Sequence, residues 1–482
     1  FSLPLQYNKI TAEHLKRFDL LFKTNGAQVC PILSDFRGRG DIVTPIFGRT
    51  AQIQAIDLFS NKAGNSVVVG GTGTGKSFFV SDLITHSLAA GCKVVMADLG
   101  YNYANLNSLI GGQMIDFEPN KNLCMNFFTK CVCMTNEETG EFILDASGRK
   151  QIDKEELLSI TQIIGMMMGL NLNAGQGQDN EQEAFKKYMS SVIQDCVQVA
   201  FEAEQHNANM SDVAYNLERY IKIISQEQPQ NAETLSRYLK ALKPYADKSG
   251  PYYGYFNGSN NINFESDSLI LELNRLKGND DLFYVAYMAV MNFVAAEFFL
   301  DRSRRKLFIQ EEAWAVLPIE IIVSFLEDLF RRIRKYNGAV VIVTNSIQDF
   351  GQSLATKSMF ENAPWKFFTE VDPSALKKAV DEKTIYLNDL EEQVIESVKR
   401  TNEYSELFIK TGAEFSVARV AVDPYSKYLF ANATNETKEI IDISDKYGLE
   451  KQDAIYFVAL KEERNLPDET ILQIIESEKR AA

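Results

Sequence analysis

Short, unbroken apolar runs recur along the chain, and each ends on residues that can do chemistry. SVVV (66–69) runs into a glycine-rich turn and KVVMAD (93–98) ends on Asp98; Leu307 to Ile309 precede Glu311 and Glu312, and AVVIVT (339–344) leads to Asn345 and Ser346. Runs of this kind, bounded by turn residues, predict strands covered on both faces, as in a parallel sheet. Helical spacing fills the intervals. Residues 78–90 predict a helix closed by a left-handed Gly91, and EIIVSFLEDLFRRIRKYNG sets Ile321, Phe325, Leu329 and Ile333 on one face. From about 153 to 248 the period is helical without strands, with Leu235, Leu239 and Leu242 on one stripe until Pro244. The pattern predicts an α/β fold whose first βαβ unit is SVVV, helix and KVVMAD, with the turn at the carboxyl edge of the sheet.

One segment imitates a membrane span. Residues 282–300, LFYVAYMAVMNFVAAEFFL, are apolar and are followed by the basic DRSRRK. Asn292 and Glu297 interrupt the run, Asp280 and Asp281 precede it and arginines follow it. That charge order complements a helix dipole, and strand-like runs flank the segment, so it reads as a buried crossover helix.

The turn after SVVV carries Gly70-x-x-x-x-Gly75-Lys76-Ser77, the phosphate-loop spacing. Glycines let successive N–H groups curl around phosphate oxygens, and the following helix presents its positive end to the same anion. The nucleotide-binding stretch is therefore Gly71, Thr72, Gly73, Thr74, Gly75, Lys76, Ser77 and Phe78. Lys76 is placed for the β and γ phosphates of ATP, and the Ser77 hydroxyl for Mg2+. Hydrolysis also needs acids at the end of a neighbouring strand. Glu311 fits as the group that holds Mg2+ through water, and Glu312 as the base that polarises the attacking water. Arg334 leads among Arg331, Arg332, Arg334 and Lys335 as an arginine finger toward a neighbouring subunit; as helix-end cations, the others complement the dipole. Asn345 either senses the γ phosphate or caps the next turn.

Composition narrows the class. The 482 residues suffice for two or three domains, and the formal charge of −15 opposes the basic footprint of a protein that coats nucleic acid. Six cysteines (Cys30, Cys92, Cys124, Cys131, Cys133, Cys196) show no paired spacing and His14, His86 and His206 are scattered, which reads as free thiols in a reducing cytosol rather than zinc. The chain opens at Phe1 with neither the basic start nor the apolar core of a signal peptide, so it reads as lacking an N-terminal region.

Several stretches together resemble a family. VVMADLGYNYANLNSLIGGQMIDF, YGYFNGSNNINFESDSLILELNRLKG, LFIQEEAWAVL, RRIRKYNGAVVIVTNSIQDF, FENAPWKFFTEVDP and YSELFIKTGAEFSVARVAVDPYSKYLFA, in that order after the phosphate loop, are similar to the conjugative-transfer ATPases of type IV secretion systems, the TraC type. The resemblance runs from about residue 40 to 435. It implies a RecA-like P-loop core interrupted by an all-helical subdomain. It also implies a hexamer at the cytoplasmic face of the bacterial inner membrane, docked on secretion-system components through partners or a separate N-terminal domain, moving DNA or protein and assembling a pilus. By resemblance, Lys76 and Ser77 bind phosphate and Mg2+ and Glu312 is the catalytic glutamate. This chain has Glu311 where the family has Asp and Asn345 where it has Gln, departures that would shift the metal-side carboxylate and shorten the reach to the γ phosphate.

The resulting organisation is a lead-in at 1–62, a RecA-like core at 63–152 and 255–435, a helical insert at 153–254 and a helical tail at 436–482 broken at Pro467. GRGDIVTPIFG predicts a strand and turn against the core. A hairpin turns at Glu138, Thr139 and Gly140, and residues 172–184 read as a mobile loop. Met166 to Met168 read as core filler. Two other readings remain: a DNA translocase or helicase, which net acidity opposes, and an ATP-dependent scaffold with little hydrolysis, which the two departures permit.

Overall fold

The structure, a computed structural model, describes residue 36 and residues 38–481 except 42, 62–63, 118–122, 137–138, 140, 173–179, 263–264, 301, 402, 422 and 431–433. The lead-in before residue 36, Glu138 and Gly140 of the predicted turn and most of the 172–184 loop lie outside the described residues.

Among the described residues, twelve strands form one sheet: β1 (Gly38–Arg39), β2 (Thr44–Gly48), β3 (Ile53–Ile56), β4 (Ser66–Val69), β5 (Lys93–Asp98), β6 (Gln113–Asp116), β7 (Ser268–Glu272), β8 (Lys306–Gln310), β9 (Gly338–Thr344), β10 (Trp365–Phe368), β11 (Ser405–Thr411) and β12 (Glu414–Val420). Their order is β1-β3-β2-β12-β11-β10-β4-β9-β8-β5-β7-β6. From β10 to β6 every pairing is parallel. From β10 outward through β2 to β3 the pairing is antiparallel, and β1 then pairs parallel with β3. GRGDIVTPIFG thus supplies β1 and β2 in the antiparallel wing. The sequence pairs SVVV with KVVMAD through one helix, but β9 and β8 lie between β4 and β5. Uniformly apolar strands carry no signal of which neighbour they choose.

Successive side chains of a strand face opposite ways, and the two cores divide accordingly. Val67, Val69, Val95, Ala97, Phe308, Val340 and Ile342 join the core under helices Asp280–Leu300 and Glu320–Arg332. Val68, Val94, Met96, Leu307, Ile309, Val341 and Val343 join the core under the P-loop helix Lys76–Ala89 and the C-terminal helices. Both faces are dry, which is why these strands are apolar throughout.

Helix Asp280–Leu300 is a buried crossover from β7 to β8, and no helix among the described residues is long and apolar enough to cross a membrane. The two polar residues that interrupt its apolar run are matched: Asn292 accepts from Ser159 Oγ at 2.6 Å and donates to Glu156 Oε1 at 3.1 Å, and Glu297 pairs with Lys93 at 2.7 Å. Helices Lys154–Met167, Asn180–Glu204, Met210–Ile224 and Pro229–Ala246 follow one another between β6 and β7. Pro244 does not end the last of these; it lies inside the helix, within its last turn, with two more residues after it. Met167 and Met168 are buried and Met166 packs beside them. At the C-terminal end, helices Thr434–Tyr447, Lys451–Arg464 and Asp468–Ala481 fold back on the core. Ile440, Ala454, Ile455 and Val458 enter the P-loop-helix core, and Phe457, Leu460, Ile471 and Ile475 form a small core of their own. Cys92, Cys124, Cys131, Cys133 and Cys196 are buried free thiols.

Candidate nucleotide-binding and hydrolysis site

The site lies at the carboxyl edge of the parallel strands. β4 delivers residues 70–75, which are tied down on both sides: Gly70 N donates to Thr344 O of β9 and Gly71 N to Glu370 O beyond β10. Thr74 Oγ1 is 2.7 Å from Gly71 O and 2.6 Å from Thr369 Oγ1. Two glycines are required here. A Cβ on Gly70 would fall 1.7 Å from Thr369 Oγ1, and Gly75, at φ +101°, would meet Ser405 Oγ at 2.2 Å. Gly75 caps helix Lys76–Ala89 without a side chain, so the first amides of that helix, at Lys76, Ser77 and Phe78, have no intrahelical partner. These amides and the aligned peptide dipoles make an anion seat. The Phe78 ring points elsewhere, edge-on to Phe430 at 6.0 Å, so its share in such a seat is its backbone N–H.

Lys76 is buried, and its Nζ donates to Gly70 O at 2.6 Å and Gly71 O at 2.9 Å. Burial lowers its pKa, and Glu311 and Glu312 push back. Those acids stand at the end of β8, with β9 interposed between β8 and β4. Glu311 is 2% exposed; its Oε1 accepts from the Tyr103 hydroxyl at 3.1 Å, while its Oε2 has no hydrogen-bond partner among the described residues. Burial, then Asp98 and Glu312, push its pKa up to about 8, against the pull of Tyr103 and Lys76. A buried carboxylate oxygen without a donor fits a group that would hold a cation. With the Ser77 hydroxyl it makes a sparse set, which suits Mg2+, an ion that keeps several waters and takes one or two carboxylates beside substrate phosphates.

Glu312 sits in the left-handed region at φ 49°. Its Oε2 accepts from Asn345 Nδ2 at 2.9 Å and from the Trp314 indole N–H. Asn345 therefore holds the glutamate. The capping role goes to Ser346, whose Oγ accepts from Gln348 N.

Arg334 lies elsewhere. It is exposed on the turn Ile333–Tyr336, at the amino end of β9, so the strand's seven residues, roughly 20 Å, separate it from its own phosphate loop. Arg331 pairs with Glu327 and Arg332 with Glu155 and Asp328, whereas Arg334 pairs with no described residue.

Three residues of the site carried no motif in the sequence. Tyr103 reaches Glu311, Asp98 biases it, and Arg400 donates from Nη1 to Gly73 O across 327 residues of chain. Arg400 N also donates to Glu370 Oε2, so this arginine lies directly over the phosphate loop. Its only sequence signal is a position just ahead of the hairpin β11–β12.

The TraG P-loop domain family model matches residues 50–462. Protein TraC of Escherichia coli (strain K12) is 22% identical across 95% of this chain and 50% of its own length, so the chain spans half of that curated relative. The structure of VirB4 of Thermoanaerobacter pseudethanolicus superposes with a TM-score of 0.61 at 17% identity, covering 81% of this chain and 99% of that one, a likeness of fold. The plasmid coupling protein TrwB in complex with ADP and Mg2+ is more distant: 12% identity, 74% of this chain, 84% of that one, TM-score 0.47.

Proposed function

The chain belongs to the TraG P-loop domain family, as a conjugative ATPase of the TraC type with a RecA-like core, and from that premise we propose that it is a hexameric motor of a type IV secretion system. In this reading it acts at the cytoplasmic face of the inner membrane, where hydrolysis drives pilus assembly and transfer of DNA or protein. The observation that carries hydrolysis is the pair at the end of β8: an orphaned buried Glu311 Oε2, and beside it Glu312 held by Asn345.

Residues 71–75 and the first amides of the P-loop helix seat the β and γ phosphates, and Lys76 exchanges its two loop carbonyls for phosphate oxygens. Ser77 and Glu311 are the groups that would hold Mg2+, which would neutralise those oxygens. Glu312 accepts a proton from the attacking water, and Asn345 fixes its direction. Arg334, too far from its own phosphates, would act on the site of a neighbouring subunit.

Steady-state ATPase activity across protein concentration, with and without DNA at two salt levels, tests this. Activity should rise with concentration and ignore DNA, and Lys76→Ala and Glu312→Gln should abolish it. Stimulation by DNA that salt removes would mark a translocase. A negligible wild-type rate with intact ATP binding would mark a scaffold.

A further inference from the structure

The metal side of the site converges on one oxygen. Tyr103 is 1% exposed and its ring is packed in the core beneath the P-loop helix, against Ile84, Met96 and Leu106. A phenylalanine would fill the same space. The hydroxyl is therefore present for its bonds, because a buried polar group without partners costs stability. Its hydrogen-bond partner is Glu311, to whose Oε1 it donates at 3.1 Å, and the Ser77 hydroxyl is close enough to act on the same phenol oxygen; both are groups that would hold Mg2+.

The loop that delivers Tyr103 is pinned at several points. Asp98, 0% exposed, accepts from Leu99 N through Oδ1 and from Asn102 N through Oδ2, both at 2.8 Å. Glu272 Oε2 accepts from Tyr101 N at 2.6 Å, which holds Tyr101 at φ 56°. Lys277 Nζ donates to Leu99 O at 3.0 Å. So short a loop with this many anchors is a rigid mount, and Tyr103 is the residue at its end, entering helix Ala104–Leu109.

Building on the nucleotide reading of the site, we infer that Tyr103 is a positioning residue: a Ser77–Tyr103–Glu311 hydrogen-bond chain that presets both metal-side groups. In that chain the Ser77 hydrogen is turned toward the phenol, leaving an oxygen lone pair free for a cation. The Tyr103 hydrogen occupies Glu311 Oε1, which leaves Oε2 as the free acceptor. The same chain accounts for glutamate at position 311. Aspartate would withdraw the carboxylate by about 1.5 Å and lose the phenol.

The test is Tyr103→Phe in the whole chain, read by binding of a fluorescent ADP analogue in Mg2+ and in EDTA, and by melting temperature. Mg2+ should tighten binding to the wild type, and the variant should lose about tenfold of that gain while its EDTA affinity stays put; its melting temperature should fall modestly, because Glu311 Oε1 loses its donor. On a Glu311→Asp background, where the phenol is already out of reach, Tyr103→Phe should cost little more. Equal losses in Mg2+ and EDTA, or the same loss on both backgrounds, would overturn the inference and leave Tyr103 as packing. A wild type whose binding is indifferent to Mg2+, while Lys76→Ala still abolishes it, would overturn the metal assignment itself.

Discussion

At the scale of single residues, the two acids at 311 and 312 are separated by their partners more than by their chemistry. Glu311 is buried against a phenol with one oxygen bare, and Glu312 stands on a left-handed backbone and is held by an amide. Removing that amide should misdirect the base without disturbing the phosphate seat. Asn345→Ala is expected to lower kcat about tenfold with KM changed less than about twofold, as for a hydrogen bond that matters in the transition state. A rise in KM at constant kcat would make Asn345 a phosphate contact instead. The phosphate loop was legible because its parts lie within eight consecutive residues whose spacing is the mechanism. Tyr103 and Arg400 were not, because each acts on a residue far along the chain, 208 positions away for Tyr103 and Glu311. Asn345 was noticed for its place at a strand end, but its partner, 33 positions away, is set by the adjacency of β8 and β9.

At the scale of elements, the long helix Asp280–Leu300 shows how a membrane-like run is settled by its exceptions. Asn292 is one pole of a contact with the first insert helix, Lys154–Met167, in which Ser159 and Glu156 are the other. Burial pushes the Glu156 carboxyl up to about 7, with Asp153 adding to it, while Asn292 and a backbone bond at Val132 oppose the rise. Its folded value lies above its unfolded one, so its stabilising contribution is complete below about 4.5 and fades as pH climbs through 7. The loss amounts to at most about 3 kcal/mol. Melting curves between pH 4.5 and 8 should therefore fall more steeply for the wild type than for Glu156→Gln; parallel curves would show that the contact does not titrate. The individual strands and this helix could be read from apolar runs and their flanking charges. The strand order could not: β4, β5, β8 and β9 are alike in being buried on both faces, and only their side-chain interlocking across helices decides who neighbours whom.

At the scale of the molecule, the residues proposed for hydrolysis fall on two opposite edges of the parallel sheet. The phosphate loop, Glu311, Glu312, Asn345 and Arg400 occupy the carboxyl edge, and Arg334, unpaired among the described residues, stands at the amino edge. A free arginine a strand's length from its own nucleotide has a use if a second copy brings its carboxyl edge to it, as a head-to-tail ring does. Such a ring makes every site the property of two subunits, which gives a sharp expectation for mixtures. Arg334→Ala alone keeps the phosphate seat and loses the finger; Lys76→Ala alone keeps the finger and loses the seat; each should be inactive. Mixed in equal amounts, about a quarter of the interfaces would pair an intact seat with an intact finger, so activity should return to roughly that fraction of wild type if sites fire independently. No recovery in a mixture that still assembles would place the arginine's role within its own subunit's architecture. Recovery well below a quarter would instead report that neighbouring sites must fire together, a coupling that belongs to the ring and to no single chain.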